Sequence, residues 1–298
     1  MKSLRHVIRF TSLVVAILLL SGTALAAGGP PELGNPPRGN PPVSLPDSAI
    51  QVARGVFYLG SAVDKGRVVE GYAIVHYDRR FAKPGAECGN GICEPGENAN
   101  KCPTDCGGTV PDTSSCYTFL AREAKWKTVE PYLVNPANQE GLNSSFLLNN
   151  LAADIQKWED VAGVDILGAG SSTNALLVAD TSSMDGQNEV YFGSIEEPGA
   201  IAITIIWGNF GGPPQSRELV EWDQVYDEVD FNWSATGEVG KMDFENIATH
   251  ELGHSVGMGD LYTTDCSAET MYGYASYGET TKRDLNTGDI TGIRALYQ

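Results

Sequence analysis

His250, Glu251 and His254 follow the order His-Glu-x-x-His, and Asp260 lies six residues beyond the second histidine. On a helix, residues four apart sit one turn above each other, so His250 and His254 present two imidazoles on the same side. A tetrahedral zinc requires that arrangement from one rigid element. Glu251 can then reach a water activated by the metal without itself being a ligand. A catalytic site needs a third protein ligand and an open fourth position. Beyond the N-terminal leader only three histidines remain, and the other one, His76, is far upstream, so the third ligand is expected to be acidic. Gly257 can end the helix at positive φ and Gly259 adds freedom, which lets the chain turn back and bring Asp260 to the metal. Glu279 is the competing acid, but its Gly/Tyr/Thr-rich surroundings do not read as the second helix such a ligand usually needs.

With these residues in place, His250–Asp260 resembles the metzincin signature H-E-x-x-H-x-x-G-x-x-H, with Asp replacing the last His. Met271 in SAETMYGYAS is similar to the Met-turn that underlies the metal in that family. The C-terminal DITGIRALY and the strand VDFNW are similar to matrixin elements. The resemblance covers residues 116–298, strongly over the last 60. It implies an α+β catalytic domain: a twisted mixed sheet with an active-site helix and a C-terminal helix. It also implies one catalytic zinc held by His250, His254 and Asp260, with Glu251 as the general base of peptide-bond hydrolysis. The substrate strand is expected on an exposed sheet edge within Gly199–Gly212. A second, structural zinc finds no spare histidines, and Gly273 stands where some metzincins place a tyrosine. Two other functions share the metal motif: a secreted binding or adhesion protein with a non-catalytic zinc, and an amidase acting on cell-wall peptides. The retained Glu251 speaks against a purely structural site.

The elements that must carry these residues are legible as periodicities. MDFENIATHELGHSVG reads as the active-site helix with Asp243 as N-cap, and TGDITGIRALY as a last helix burying Ile290, Ile293 and Leu296, with Asp289 near its positive end. A further helix is predicted at 145–160 from Leu148, Leu151, Ile155 and Trp158. CYTFLARE, NALLVAD, EVYFGS, GAIAITIIWG and the run Val225–Trp233 read as strands.

Residues 1–26 carry Lys2, Arg5 and Arg9, a short apolar run Leu13–Leu20 and Ala24-Leu25-Ala26, the pattern of a cleaved signal peptide. The run is about half of what spans a bilayer, so export without a membrane anchor is expected. Residues 27–46 are a Pro/Gly-rich linker. Residues 47–86 form a small β unit, either a propeptide or an attached accessory module, and 87–108 a Cys-rich module; the peptidase-like domain is 116–298. Six cysteines follow the leader, which favours disulfides. Four cluster in the module, which leaves Cys116 to pair with Cys266. Glu94, Glu97 and Asp105 admit calcium as a second ion. The net charge of −18 argues against nucleic acid and anionic membranes as partners and leaves protein or peptide substrates.

Overall fold

The computed structural model describes residues 40–81, 93, 98–99, 106–107 and 112–298. Residues 1–26, most of the linker and most of the Cys-rich module, including Cys88, Cys102, Glu94, Glu97 and Asp105, lie outside these. The described chain is built on one twisted mixed sheet. Its strands are β1 (Ile50–Ala53), β2 (Val56–Asp64), β3 (Arg67–Asp78), β4 (Tyr132–Asn135), β5 (Gly170–Ser172), β6 (Asn188–Gly193), β7 (Ala200–Asn209), β8 (Glu218–Asp227) and β11 (Tyr274–Ala275), in the order β1-β2-β3-β7-β8-β6-β4-β5, with β11 beside β3. β8, β6, β4 and β5 run parallel, whereas β1, β2, β3, β7 and β8 alternate. The short strands β9 (Trp233–Ser234) and β10 (Met242–Asp243) pair separately.

The β unit read as separate at 47–86 is continuous with this sheet. β3 pairs antiparallel with β7 from Glu70↔Gly208 to Tyr77↔Ala200. Val69, Ala73, Ile74 and Val75 are fully buried, and Gly71 leaves room for the Trp207 ring, which would stand 2.7 Å from an added Cβ. A strand buried on both faces is a central strand. β7 is therefore no free edge: β3 and β8 flank it, and the edge strands of the sheet are β1 and β5. The described end of the linker is also anchored, since Val43 is buried and pairs its backbone with Ser194 and Glu196.

Among the described residues three helices pack together: the second lies on β7 and β8, the first beside β5, and the third on the first. In α1 (Ser144–Ala162) the buried stripe is Leu147, Leu151, Ile155 and Trp158, with Leu148 only half-buried; Asn143 caps its start and Gly163, at φ 75°, ends it. α2 (Phe244–Ser255) is capped by the Asp243 side chain, which accepts from Asn246 N at 3.0 Å. α3 (Thr287–Tyr297) buries Ile293 and Leu296 and leaves Ile290 half-buried.

Two predicted strands are not strands. Residues 174–180 run extended without a sheet partner, because side chains take their amides: Asn40 that of Leu177, Glu189 that of Val178, Tyr191 that of Ala179 and Asp223 that of Asp180. CYTFLARE instead lies along the turn after α2. Leu120 N donates to Gly257 O and Gly259 N to Thr118 O, at 3.1 and 2.9 Å. The run Val225–Trp233 breaks at Asp227, whose carboxylate accepts from the amides of Ile195, Val229 and Asp230 and so closes a turn. Disulfides Cys93–Cys106 and Cys116–Cys266 are present.

Candidate metal centre

The last turns of α2 and the loop after it bring three donor atoms together. His250 Nε2 and His254 Nε2 are 3.1 Å apart, and Asp260 Oδ1 is 3.2 Å from the first and 3.4 Å from the second. All three side chains are buried. Each imidazole is fixed from behind: His250 Nδ1 donates to Thr270 O at 2.7 Å and His254 Nδ1 to Met258 O at 3.0 Å. With both Nδ1 protons so committed, the two Nε2 lone pairs face each other and the Asp260 carboxylate. Asp260 Oδ1 has no hydrogen-bond partner. Such a set is repulsive unless a proton or a metal cation sits within it. Ligand bonds of 2.0–2.1 Å in a tetrahedron place ligand atoms about 3.3 Å apart, so these residues fit zinc without rearrangement. Burial alone would raise the Asp260 carboxyl, but facing His254 and His250 hold it well below the usual carboxylate range.

Gly257 turns the chain at φ 105°, as expected from sequence. Gly259 serves instead by close approach: an added Cβ would lie 3.0 Å from Thr118 Cγ2 and 3.2 Å from the Phe119 backbone. Met271 is wholly buried under α2 and lies against Gly253, where an added Cβ would be 2.2 Å from its sulfur. Glu279 is committed elsewhere, to Lys282 Nζ at 2.9 Å, and joins neither histidine in any metal-capable group among the described residues.

Four partners of the centre escaped sequence reasoning. Tyr262 OH donates to Asp260 Oδ2 at 2.9 Å, and Gly273 makes room for its ring, 2.5 Å from where a Cβ would stand. The glycine found in place of a tyrosine after Met271 thus admits a tyrosine from another position. Asp289 accepts from Thr270 N and Met271 N at 2.7 and 3.1 Å, which fixes the carbonyl that holds His250. Thr204 Oγ1 on β7 donates to Glu251 Oε2 at 2.5 Å. His76, far upstream in sequence, places Nδ1 3.1 Å from Glu251 Oε1 and its ring centroid 3.8 Å from that of His250. Burial pushes the Glu251 carboxyl up to about 7. Burial, then His250, holds His76 well below the usual imidazole range, so it is neutral.

A cavity of about 530 Å³ opens onto Asp260 and Tyr262. Its walls include Tyr72 and Ile74 of β3, Phe119 and Phe210. A second acidic group, Asp180, Glu221 and Asp223, brings its ligand atoms within 4.8 Å of one another.

The Matrixin peptidase family model matches residues 214–298. "Metalloendoproteinase 2-MMP" of Arabidopsis thaliana is 24% identical over 198 residues, 61% of this chain and 45% of the relative. "Metalloendoproteinase 1" of Glycine max is 27% identical over 206 residues, 67% of this chain and 59% of the relative. The chain thus spans about half the length of these curated relatives. Among solved structures, metalloproteinase-II from Bacteroides fragilis aligns over 82% of this chain and 77% of its own at 10% identity, with a TM-score of 0.31, too low to bear on the fold. The matched segment contains α2, the Asp260 turn and the Met271 turn, so it is over the residues that build the centre that this chain is similar to the matrixin family.

Proposed function

We propose that the protein is a secreted zinc-dependent endopeptidase in which His250, His254 and Asp260 hold the metal and Glu251 is the general base. The observation that carries this reading is the convergence of two oriented Nε2 atoms and an unpartnered carboxylate oxygen at 3.1–3.4 Å. Bound there, zinc supplies the Lewis acidity that lets water act as a nucleophile near neutral pH. Glu251 takes the proton of the attacking water and returns it to the leaving amine. Thr204 and His76 hold its two oxygens, and the protein around it excludes competing water. Substrate enters through the cavity beside Asp260, whose aromatic and aliphatic walls suit a polypeptide with apolar side chains.

The N-terminal signal pattern and the two disulfides among the described residues support export, since such bonds persist in oxidising compartments. Among the described residues no helix is long and apolar enough to cross a membrane. We place calcium at Asp180, Glu221 and Asp223, where the buried Glu221 leaves Oε1 without a partner. Calcium should raise the melting temperature of the native chain and leave that of Glu221→Gln unchanged. The peptidase reading is tested with Glu251→Gln, which is expected to keep one zinc per chain and lose all cleavage of casein or gelatin. A native, zinc-loaded chain that cleaves nothing across a broad peptide library refutes it in favour of a binding protein.

A further inference from the structure

We propose that His76 is a positioning residue for the Glu251 carboxylate, supplied by a strand outside the matrixin-matched segment; this rests on the peptidase reading above. The two oxygens of Glu251 are held from adjacent strands, Oε2 by Thr204 on β7 and Oε1 by His76 on β3. Those strands are locked in register, with Ile74 opposite Thr204 and His76 opposite Ala202. Thr204 and His76 therefore approach the carboxylate as a fixed pair. His76 Nδ1 is the ring nitrogen that faces Glu251 Oε1, at 3.1 Å, and a carboxylate only accepts, so Nδ1 carries the proton and donates it.

His76 is not a further ligand. It groups with His250 and Glu251, whereas the triad of His250, His254 and Asp260 forms without it. Its ring lies against the His250 ring, so one side chain braces both a ligand and the base. The bracing strand is a permanent part of the fold. Opposite its His76 face, Val69, Ala73 and Val75 pack in the same core as Ile203, Ile205 and Trp207. Removing β3 would strip that core, which sets it apart from a segment discarded on activation. Sequence places His76 175 residues from Glu251, so only the sheet brings the two together.

The contact is charge-assisted and orients a proton-transfer group, where misplacement by about 1 Å costs on the order of 100-fold in rate. In the full-length, zinc-loaded chain, His76→Leu should lower kcat on a fluorogenic peptide by about 10–100-fold, with KM changed less than about threefold and one zinc retained. His76→Asn keeps an N–H donor near the place of Nδ1 and should recover most of that loss. An unchanged or increased kcat in His76→Leu, or an Asn variant as poor as Leu, overturns the proposal. The native protein offers a readout free of substitutions: long-range ¹H–¹⁵N spectra should show His76 as the Nδ1–H tautomer, and an Nε2–H tautomer rejects the contact. Failure of the native chain to cleave any peptide defeats the peptidase reading, and the tautomer still decides the contact.

Discussion

Gly253 lies between His250 and His254 on α2, and replacing it by alanine sets two effects of opposite sign against each other. In an open helix interior, Gly→Ala stabilises by about 1 kcal/mol. Here the new methyl would lie 2.2 Å from Met271 Sδ and 2.8 Å from Trp158 Cζ2. Met271 and Trp158 are both fully buried, and Trp158 is tethered through Nε1 to Thr249 O at 3.0 Å. The sulfur can shift; the indole cannot move without breaking that bond. Overpacking of this kind costs about 1–3 kcal/mol, and two close contacts place it near the upper end. The net expectation is a loss of about 2 kcal/mol after the helix gain is subtracted.

The same displacement pushes the Met271 turn away from α2, and Thr270 in that turn holds His250 Nδ1. Zinc affinity should therefore fall by about 10–100-fold, as when a partner behind a ligand is lost. Urea unfolding in EDTA separates the packing cost from metal linkage, and competition with a chromophoric chelator reads the affinity. Combining Gly253→Ala with Met271→Ala should relieve the clash, with a coupling of about 1 kcal/mol or more. If Gly253→Ala alone stabilises the protein by about 1 kcal/mol, Met271 does not press on the helix and the reasoning fails.

Tyr262→Phe frees Asp260 Oδ2 and should weaken zinc about 10-fold while leaving urea unfolding in EDTA within about 0.5–1.5 kcal/mol of native; unaltered zinc affinity removes Tyr262 from the centre. Opening Cys116–Cys266, which spans 150 residues, by a double Ser substitution should cost up to about 5 kcal/mol by loop entropy, read as a lower urea midpoint. A midpoint that does not move means the ends are held without it. Burial, followed by Asp180, pushes Glu221 up to about 9. A carboxyl with a raised folded pKa favours the protonated fold, so in EDTA its contribution is intact below about pH 4 and is lost as pH rises toward 9. Glu221→Gln should flatten that decline and gain on the order of 1–2 kcal/mol at pH 8; parallel stability–pH curves for the two proteins contradict the assignment.

How much of the centre could be read in advance follows from how its residues are linked. His250, Glu251, His254 and Asp260 lie within one helix and one turn, so residue spacing alone places them, and Gly257 marks where the turn begins. The partners that orient them come from separate strands and loops, and no local periodicity relates Thr204, Tyr262 or Asp289 to the helix. His76 did leave a trace. VVEGYAIVHY is apolar at nearly consecutive positions, the pattern of a strand covered on both faces, and a small free-standing unit has no second layer to cover it. That pattern fits β3 to the interior of a larger sheet, where its one histidine faces a core. A neutral histidine in a core needs a polar partner, and Glu251 is such a group on the facing helix. The misread extended run 174–180 shows the converse limit. Its alternation of buried Leu177 and Ala179 with exposed Leu176 and Val178 is strand-like, yet Glu189, Tyr191, Asp223 and Asn40 take the amides a neighbouring strand would have used. Side-chain acceptors can replace a sheet partner residue by residue, and periodicity carries no record of which acceptor a backbone amide will find.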